Sequence, residues 1–264
     1  MTPVSTLTAS APERPLTFGE AHQTLKSAQK SMRGAPAYSR WVNRPLGRVF
    51  AAGAYRLGWV PNQVTAVSAL FTYTAIALIA LVRPSAWMSI LVALLLLIGY
   101  ALDSADGQLA RLTRMGRPSG EWLDHAIDMG KIALLHAAVA FSWLRWGVPG
   151  AGQSDWLIAI PLLFGAVAVV GFFTWLLSDL LVRVAEARAQ VQPPSTPAAQ
   201  EPAPVLRSLL RLPGDYGLLA LMFALFATGG FLPVYSLLLV ASGLILAAAL
   251  PVYFQRVRAS EELS

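Results

Sequence analysis

Four aspartates near the middle of the chain have the side chains and the spacing of a divalent-cation site. Asp103 and Asp106 are three residues apart, and Asp124 and Asp128 are four apart, so each pair shares one face of a helix. Glycine and proline residues between the pairs break helices, and we expect two antiparallel helices that direct their carboxylates at one point. Oxygen ligands favour Mg²⁺ or Mn²⁺, and we expect a pair of such ions.

The residues around these acids suit phosphate chemistry. The acids adjoin apolar runs that are long enough to cross a bilayer, where charged side chains are costly and therefore usually functional. Carboxylate-bound divalent ions commonly handle substrate phosphates, and the planar guanidinium of Arg111 matches a phosphate group. Gly107, Ala110 and Gly120 are small, so a flat group could approach the backbone there.

The segment resembles the motif D-x2-D-G-x2-A-R-x8-G-x3-D-x3-D of the CDP-alcohol phosphotransferase (CDP-alcohol phosphatidyltransferase) family. Eight fixed positions with the correct gaps make this a specific match. The positions are filled by Asp103, Asp106, Gly107, Ala110, Arg111, Gly120, Asp124 and Asp128.

The resemblance implies a role for each of these residues. Asp103, Asp106 and Asp124 would be metal ligands. Asp128 would be the catalytic general base and could also contact the second metal ion. Gly107, Ala110, Arg111 and Gly120 would hold the CDP moiety of the substrate.

The composition indicates an integral membrane protein. Of 264 residues, 56% are hydrophobic and 13% are charged, and the mean hydropathy is +0.56, whereas charged residues approach a quarter of a soluble domain. The net charge of +6 fits positively charged loops that meet anionic lipid. No basic patch rich in aromatic residues indicates a nucleic-acid partner.

We predict an all-α integral membrane fold with six transmembrane helices preceded by an amphipathic juxtamembrane helix. The predicted units are a disordered N-terminus (1–15), cytoplasmic amphipathic or interfacial helices (16–60), a catalytic domain (61–258) with a flexible cytoplasmic linker (190–204), and a tail (259–264). The predicted spans lie at about 64–82, 87–106, 120–146, 156–182, 216–227 and 234–254.

The stretch 38–59 interleaves arginine with tryptophan and aliphatic residues. That pattern is typical of a helix lying on a membrane surface. The alternative is a helix packed on the cytoplasmic ends of the protein's own spans, and the two are compatible.

The distribution of basic residues predicts the orientation. The loops after spans one, three and five carry only Arg83 and Arg145, and nearly all other basic residues fall on the opposite side. By the positive-inside rule that side is cytoplasmic. We therefore expect both termini and the acid cluster at the cytoplasmic face of the inner (plasma) membrane.

Residues outside the motif complete the predicted site. Asn62 and Thr65 are candidates for the nucleotide pocket, against the alternative of helix capping. Lys131, Arg183 and Arg188 could bind the phosphate of a phosphorylated acceptor. The two arginines are also explained as topology charges, which we favour, and Lys131 could equally neutralise the carboxylates.

The predicted function is metal-dependent transfer of a phosphatidyl group from a CDP-linked lipid, CDP-diacylglycerol, to an alcohol hydroxyl with release of CMP, in phospholipid biosynthesis. The acceptor would be a small alcohol or a phosphorylated alcohol, and the resemblance implies a homodimer. One alternative is transfer of a CDP-linked head group to a lipid alcohol. Another is a cation transporter or channel, whose site should lie near the bilayer midplane.

Overall fold

The chain folds as a bundle of α-helices in a computed structural model, which describes residues 15–27, 36–189, 205–210 and 212–262. The described residues contain no β-strand, so the all-α prediction is confirmed. The predictions for residues 1–14, 190–204 and 263–264 lie outside this range. The helices are α1 Phe18–Ser27, α2 Arg44–Arg56, α3 Pro61–Leu81, α4 Ala86–Thr113, α5 Pro118–Trp146, α6 Ala159–Arg188, α7 Val205–Leu210, α8 Tyr216–Met222 and α9 Phe231–Glu261.

Five of the described helices are long and apolar enough to cross a membrane: α3, α4, α5, α6 with its preceding turn, and α9. The 21 residues of α3 extend about 31 Å at 1.5 Å per residue, which matches a hydrocarbon core of about 30 Å. The protein is therefore a multi-pass membrane protein.

The fifth predicted span differs from the expectation. Tyr216–Leu225 is a short apolar helix of only about 15 Å. The Tyr216 ring packs edge-on against Tyr100 at 5.1 Å, and the amide of Ala227 donates a hydrogen bond to Ser89 Oγ at 3.0 Å. The stretch therefore runs beside the twelve residues 89–100 of α4, about half of a span. A Pro-Gly pair before it and a Gly-Gly pair after it limit its length.

Helix α3 is the element against which the two acid-bearing helices pack. It contacts both α4 and α5, whereas α4 and α5 approach each other little. Ser68 Oγ donates to the carbonyl of Gly99 in α4 at 2.9 Å, and Tyr73 Oη donates to the carbonyl of Ile127 in α5 at 3.1 Å. The two helices are antiparallel, as expected, but they are separated by a cleft with α3 as its floor.

Helix α2 packs one face on α4 and leaves the other face open. Gly47 lies directly against Ser104 and Gln108, and Gln108 Nε2 donates to the carbonyl of Arg44 at 3.2 Å. The opposite face exposes Leu46 and Val49, and the helical turn that precedes α2 exposes Trp41 and Val42. The packing alternative is therefore what the structure shows, and the exposed apolar face is also suited to a membrane surface.

The segment that precedes α2 is tied to the start of α8 by a buried carboxylate. Asp215 is 2% exposed and accepts hydrogen bonds from the amides of Ser39 at 2.9 Å and Gly217 at 3.0 Å. Burial raises the pKa of the Asp215 carboxyl group, and these amide hydrogen bonds oppose that rise. This carboxylate therefore joins Ser39 to the first turn of α8.

The predicted orientation can be tested because the chain has no cysteine. We expect Ala151→Cys, in the exposed loop before α6, to react with a membrane-impermeant maleimide in intact cells. Glu186→Cys, at the exposed end of α6, should react only after permeabilisation. Labelling of the position 186 thiol in intact cells would show that the orientation is inverted.

Candidate active site

A lysine holds two of the four motif aspartates together. Lys131 Nζ lies 2.5 Å from Asp103 Oδ1 and 2.9 Å from Asp128 Oδ1. The lysine side chain is 7% exposed and the two aspartate side chains are 21% and 25% exposed. Because both carboxylates contact one nitrogen, residues from α4 and α5 meet across the cleft.

The third aspartate is positioned from α3. Thr65 Oγ1 donates a hydrogen bond to Asp106 Oδ2 at 2.6 Å and also lies 3.2 Å from the carbonyl of Pro61. Asp106 is 6% exposed, and the carboxylates of Asp103 and Asp124 lie within its electrostatic range. The hydroxyl of Thr65 therefore fixes the orientation of an acid that is held close to two others.

The fourth aspartate belongs to a group whose geometry fits a metal ion. Ligand atoms of Asp124, His125 and Asp128 all lie within 4.8 Å of one another. The two carboxylates supply the oxygen ligands that Mg²⁺ and Mn²⁺ prefer, whereas an imidazole is a more usual ligand of zinc and other transition-metal ions. His125 Nε2 also lies 3.7 Å from Glu121 Oε1, and its ring packs edge-on against Phe172 and Trp175. The donor set therefore fits a divalent ion.

A polar cavity of about 670 Å³ opens beside these acids. It lies between the N-terminus of α3, the C-terminal half of α4 and the first turns of α5. The six residues predicted for nucleotide binding all line it. They are Asn62, Thr65, Gly107, Ala110, Arg111 and Gly120, and the motif acids Asp106 and Asp124 complete the wall beside them.

Two motif glycines keep this cavity open. A methyl group added at Gly107 would lie 3.6 Å from the Arg111 guanidinium, and the position otherwise faces free space. A methyl group at Gly120 would lie 3.2 Å from Asn62 Oδ1, which is closer than most side-chain contacts. Larger residues would fill the cavity at position 107 and push α5 away from α3 at position 120.

Two arginine side chains outside the fixed positions of the motif also line the cavity. Arg114 and Arg117 line it from the turn between α4 and α5. Arg114 has a left-handed backbone (φ 56°) that ends α4, and Arg117 is extended before Pro118. In the sequence they are simply two of the many basic residues whose distribution predicts the orientation. Both arginines lie in the eight-residue gap between Arg111 and Gly120 of the motif. That position was the feature of the sequence that could have indicated a role in the pocket.

The three residues predicted for an acceptor phosphate are not brought together. Lys131 lies within the acid cluster, whereas Arg183 pairs with Glu121 at 2.7 Å and with Asp179 at 3.1 Å. Arg188 is exposed at the end of α6. The charge of Arg183 is already compensated, and Glu121 connects it to the rim of the cavity.

The remaining buried histidine belongs to the core. His136 is 2% exposed, its Nδ1 lies 2.5 Å from Tyr235 Oη, and its ring stacks on Phe164 at 4.3 Å. His136 is therefore a packing residue of the helix bundle and not part of the acid cluster.

These features define a class of protein, a multi-pass helical membrane protein with an acid-rich site beside a polar cavity. Residues 58–253 match the CDP-alcohol phosphatidyltransferase family, and the chain belongs to that family. The match includes all four aspartates and every residue of the cavity. No curated protein matches the sequence.

Membership makes the protein a transferase of substituted phosphate groups, which takes a CDP-alcohol donor and an alcohol acceptor. The family generally depends on divalent metal ions, and the Asp124–His125–Asp128 group provides suitable ligands. The resemblance drawn from the motif is confirmed.

The role of the open wall at Gly107 can be tested with Gly107→Leu. Leucine favours a helix interior more than glycine, so we expect the thermal stability to be retained while the side chain occupies the cavity. Binding of CDP, measured by isothermal titration calorimetry, should weaken at least tenfold. Gly53→Leu makes the same change in α2, where a Cβ would meet no neighbour, and should leave CDP binding intact. Unchanged affinity in Gly107→Leu would contradict a nucleotide pocket here.

Proposed function

We propose that this enzyme transfers the phosphatidyl group of CDP-diacylglycerol to the hydroxyl of an alcohol, with release of CMP, during phospholipid biosynthesis. The observation that carries the proposal is the junction of an arginine-lined cavity with four carboxylates at one end of membrane-spanning helices. A lipid donor can keep its acyl chains in the bilayer while its nucleotide enters that cavity. We place the site at the cytoplasmic face of the inner membrane, in a homodimeric enzyme.

The cavity is suited to a cytidine diphosphate group. Arg111, Arg114 and Arg117 supply positive charge, and guanidinium groups bind phosphate oxygens through paired donors. The small residues Gly107 and Ala110 let the diphosphate approach α4. The side-chain amide of Asn62 offers both donors and acceptors to a base.

The four aspartates would hold Mg²⁺ or Mn²⁺, with two ions in the complete site. Asp103, Asp106 and Asp124 act as ligands in this proposal, and Asp128 contacts the second ion. Bound divalent ions would neutralise charge on the diphosphate oxygens during transfer. Thr65 keeps Asp106 directed at this point through its 2.6 Å hydrogen bond.

Asp128 is the proposed catalytic base. The acceptor oxygen forms a bond to the phosphorus of the phosphatidyl group as its proton passes to the Asp128 carboxylate. The bond from that phosphorus to the oxygen bridging it to CMP breaks, and CMP leaves with the electron pair. Asp128 lies on the α5 side of the cleft, opposite Asp103, and so can face an acceptor that enters between the helices.

The location of the acids argues against the transporter alternative. A hydrocarbon core requires about 20 helical residues, and counting that number from Ala86 along α4 reaches Ala105. Counting back from Trp146 along α5 reaches Ile127. Asp106 directly follows the first count, and Asp128 is the second-last residue that the second count reaches, so both lie at the edge of the bilayer. A transport site is expected near its midplane.

The pairing of Arg183 bears on the acceptor. A phosphorylated acceptor needs basic side chains beside the metal site that are not already paired. Arg183 forms ion pairs with Glu121 and Asp179. Lys131 forms ion pairs with Asp103 and Asp128. This arrangement favours a small alcohol without a phosphate. The phosphorylated acceptor would have to displace these pairs.

The proposed reaction predicts CMP release by purified protein supplied with CDP-diacylglycerol, Mg²⁺ or Mn²⁺ and a panel of alcohols. Asp128→Asn should lower kcat by at least about 100-fold, because positioned general bases contribute about 10²–10⁴-fold. Asp155→Asn alters an exposed aspartate outside the site and should leave the rate unchanged. Mass spectrometry of the lipid product identifies the acceptor, and the absence of CMP release with every alcohol would refute the proposal.

A further inference from the structure

A lysine ammonium group lies between two carboxylates where the proposed function requires a metal ion. Lys131 Nζ is at 2.5 Å from Asp103 and 2.9 Å from Asp128, and its side chain is almost fully buried. We propose that Lys131 is a resident counter-ion that stabilises the metal-free enzyme and is displaced from Asp103 when a divalent ion binds. The inference rests on the part of the proposed function in which these acids bind metal.

The counter-ion explains how the acids coexist without metal. Several carboxylates at one point repel one another, and unpaired charges at the edge of a bilayer are strongly unfavourable. A lysine that contacts two of them supplies positive charge and satisfies two oxygen atoms at once. Removing it should therefore destabilise the metal-free fold in particular.

The same contacts oppose metal binding. Mg²⁺ binds carboxylate oxygens at about 2.0–2.1 Å. The ammonium group of Lys131 lies 2.5 Å from Asp103 Oδ1 and occupies the space that a metal ion on that side of the oxygen would need. Two cations in one place also repel each other. The lysine must move away before Asp103 can become a ligand. The free energy needed to break its ion pairs therefore weakens the binding of the metal ion.

The structure provides an acceptor for the displaced ammonium group. The hydroxyl of Tyr216 is buried, makes no hydrogen bond within the described part of the chain, and lies within electrostatic range of Lys131. The side chain of lysine is flexible. Rotation of the lysine side chain toward Tyr216 would give the ammonium group a new hydrogen-bond acceptor when Asp103 binds the metal ion.

The first test compares Lys131→Met with Lys26→Met, which alters an exposed lysine on α1. In metal-free detergent solution, Lys131→Met should have a Tm several degrees below that of the native protein. Its Kd for Mn²⁺, measured by electron paramagnetic resonance, should fall at least tenfold. Saturating Mn²⁺ should remove the difference in Tm, and Lys26→Met should match the native protein throughout. Lys131→Arg keeps the charge and should keep the native Kd within a few-fold.

A second test uses the unaltered protein and remains informative if Lys131→Met does not fold. The chain has only three lysines, so labelling lysine with ¹⁵N at Nζ yields few signals. Addition of Mg²⁺ should abolish the hydrogen-bonded ammonium signal of Lys131 or shift it, and leave that of Lys26 in place. A Lys131 signal unchanged at saturating Mg²⁺ would overturn the inference.

The outcomes separate this inference from the proposed function. Equal Mn²⁺ affinity in the native protein and Lys131→Met would refute the counter-ion role, even if CMP is released normally. Failure of both proteins to bind Mn²⁺ would also refute it. The proposed function is decided separately by CMP release in the acceptor panel.

Discussion

The concentration of negative charge at the edge of a bilayer is the constraint on which the rest of this structure depends. Four carboxylates on two helices cannot be held together in a low-dielectric setting without positive charge and hydrogen-bond donors. The protein supplies these from several directions. Lys131 pairs with Asp103 and Asp128, the Thr65 hydroxyl donates to Asp106, and arginines of the cavity lie on the solvent side.

Helix α3 makes this arrangement possible because it separates the acid-bearing helices at a fixed distance. Close packing against it depends on glycine: Gly99 of α4 lies against Thr72, and Gly130 of α5 lies against the Tyr73 hydroxyl. Small residues at helix interfaces allow such close approach in membranes. At the N-terminal end of α3 lies the polar cavity, between the C-terminal half of α4 and the first turns of α5.

The opposite end of the bundle is filled with buried aromatic side chains, whereas the acid cluster lies beside a polar cavity. Trp143, Phe231 and Tyr235 pack there as a fully buried aromatic cluster, and His136 joins it through Tyr235. The short helix α8 connects this core to the region of the acids. The acid cluster and the polar cavity lie away from this aromatic core, at the end where α4 and α5 carry the motif residues.

The sequence by itself determined the membrane class, the helical fold and the identity of the acid cluster. These properties are local, because hydrophobic runs set helix length and the 3.6-residue period fixes which acids share a face. The motif spacing also indicated the residues that line the cavity. Only the tertiary structure decided that α3 separates α4 from α5, that residues 216–225 form a half-length helix, and that Arg183 binds Glu121 while Lys131 binds Asp103. Those outcomes depend on which faces meet across the bundle, and contacts between residues distant in the chain decide that.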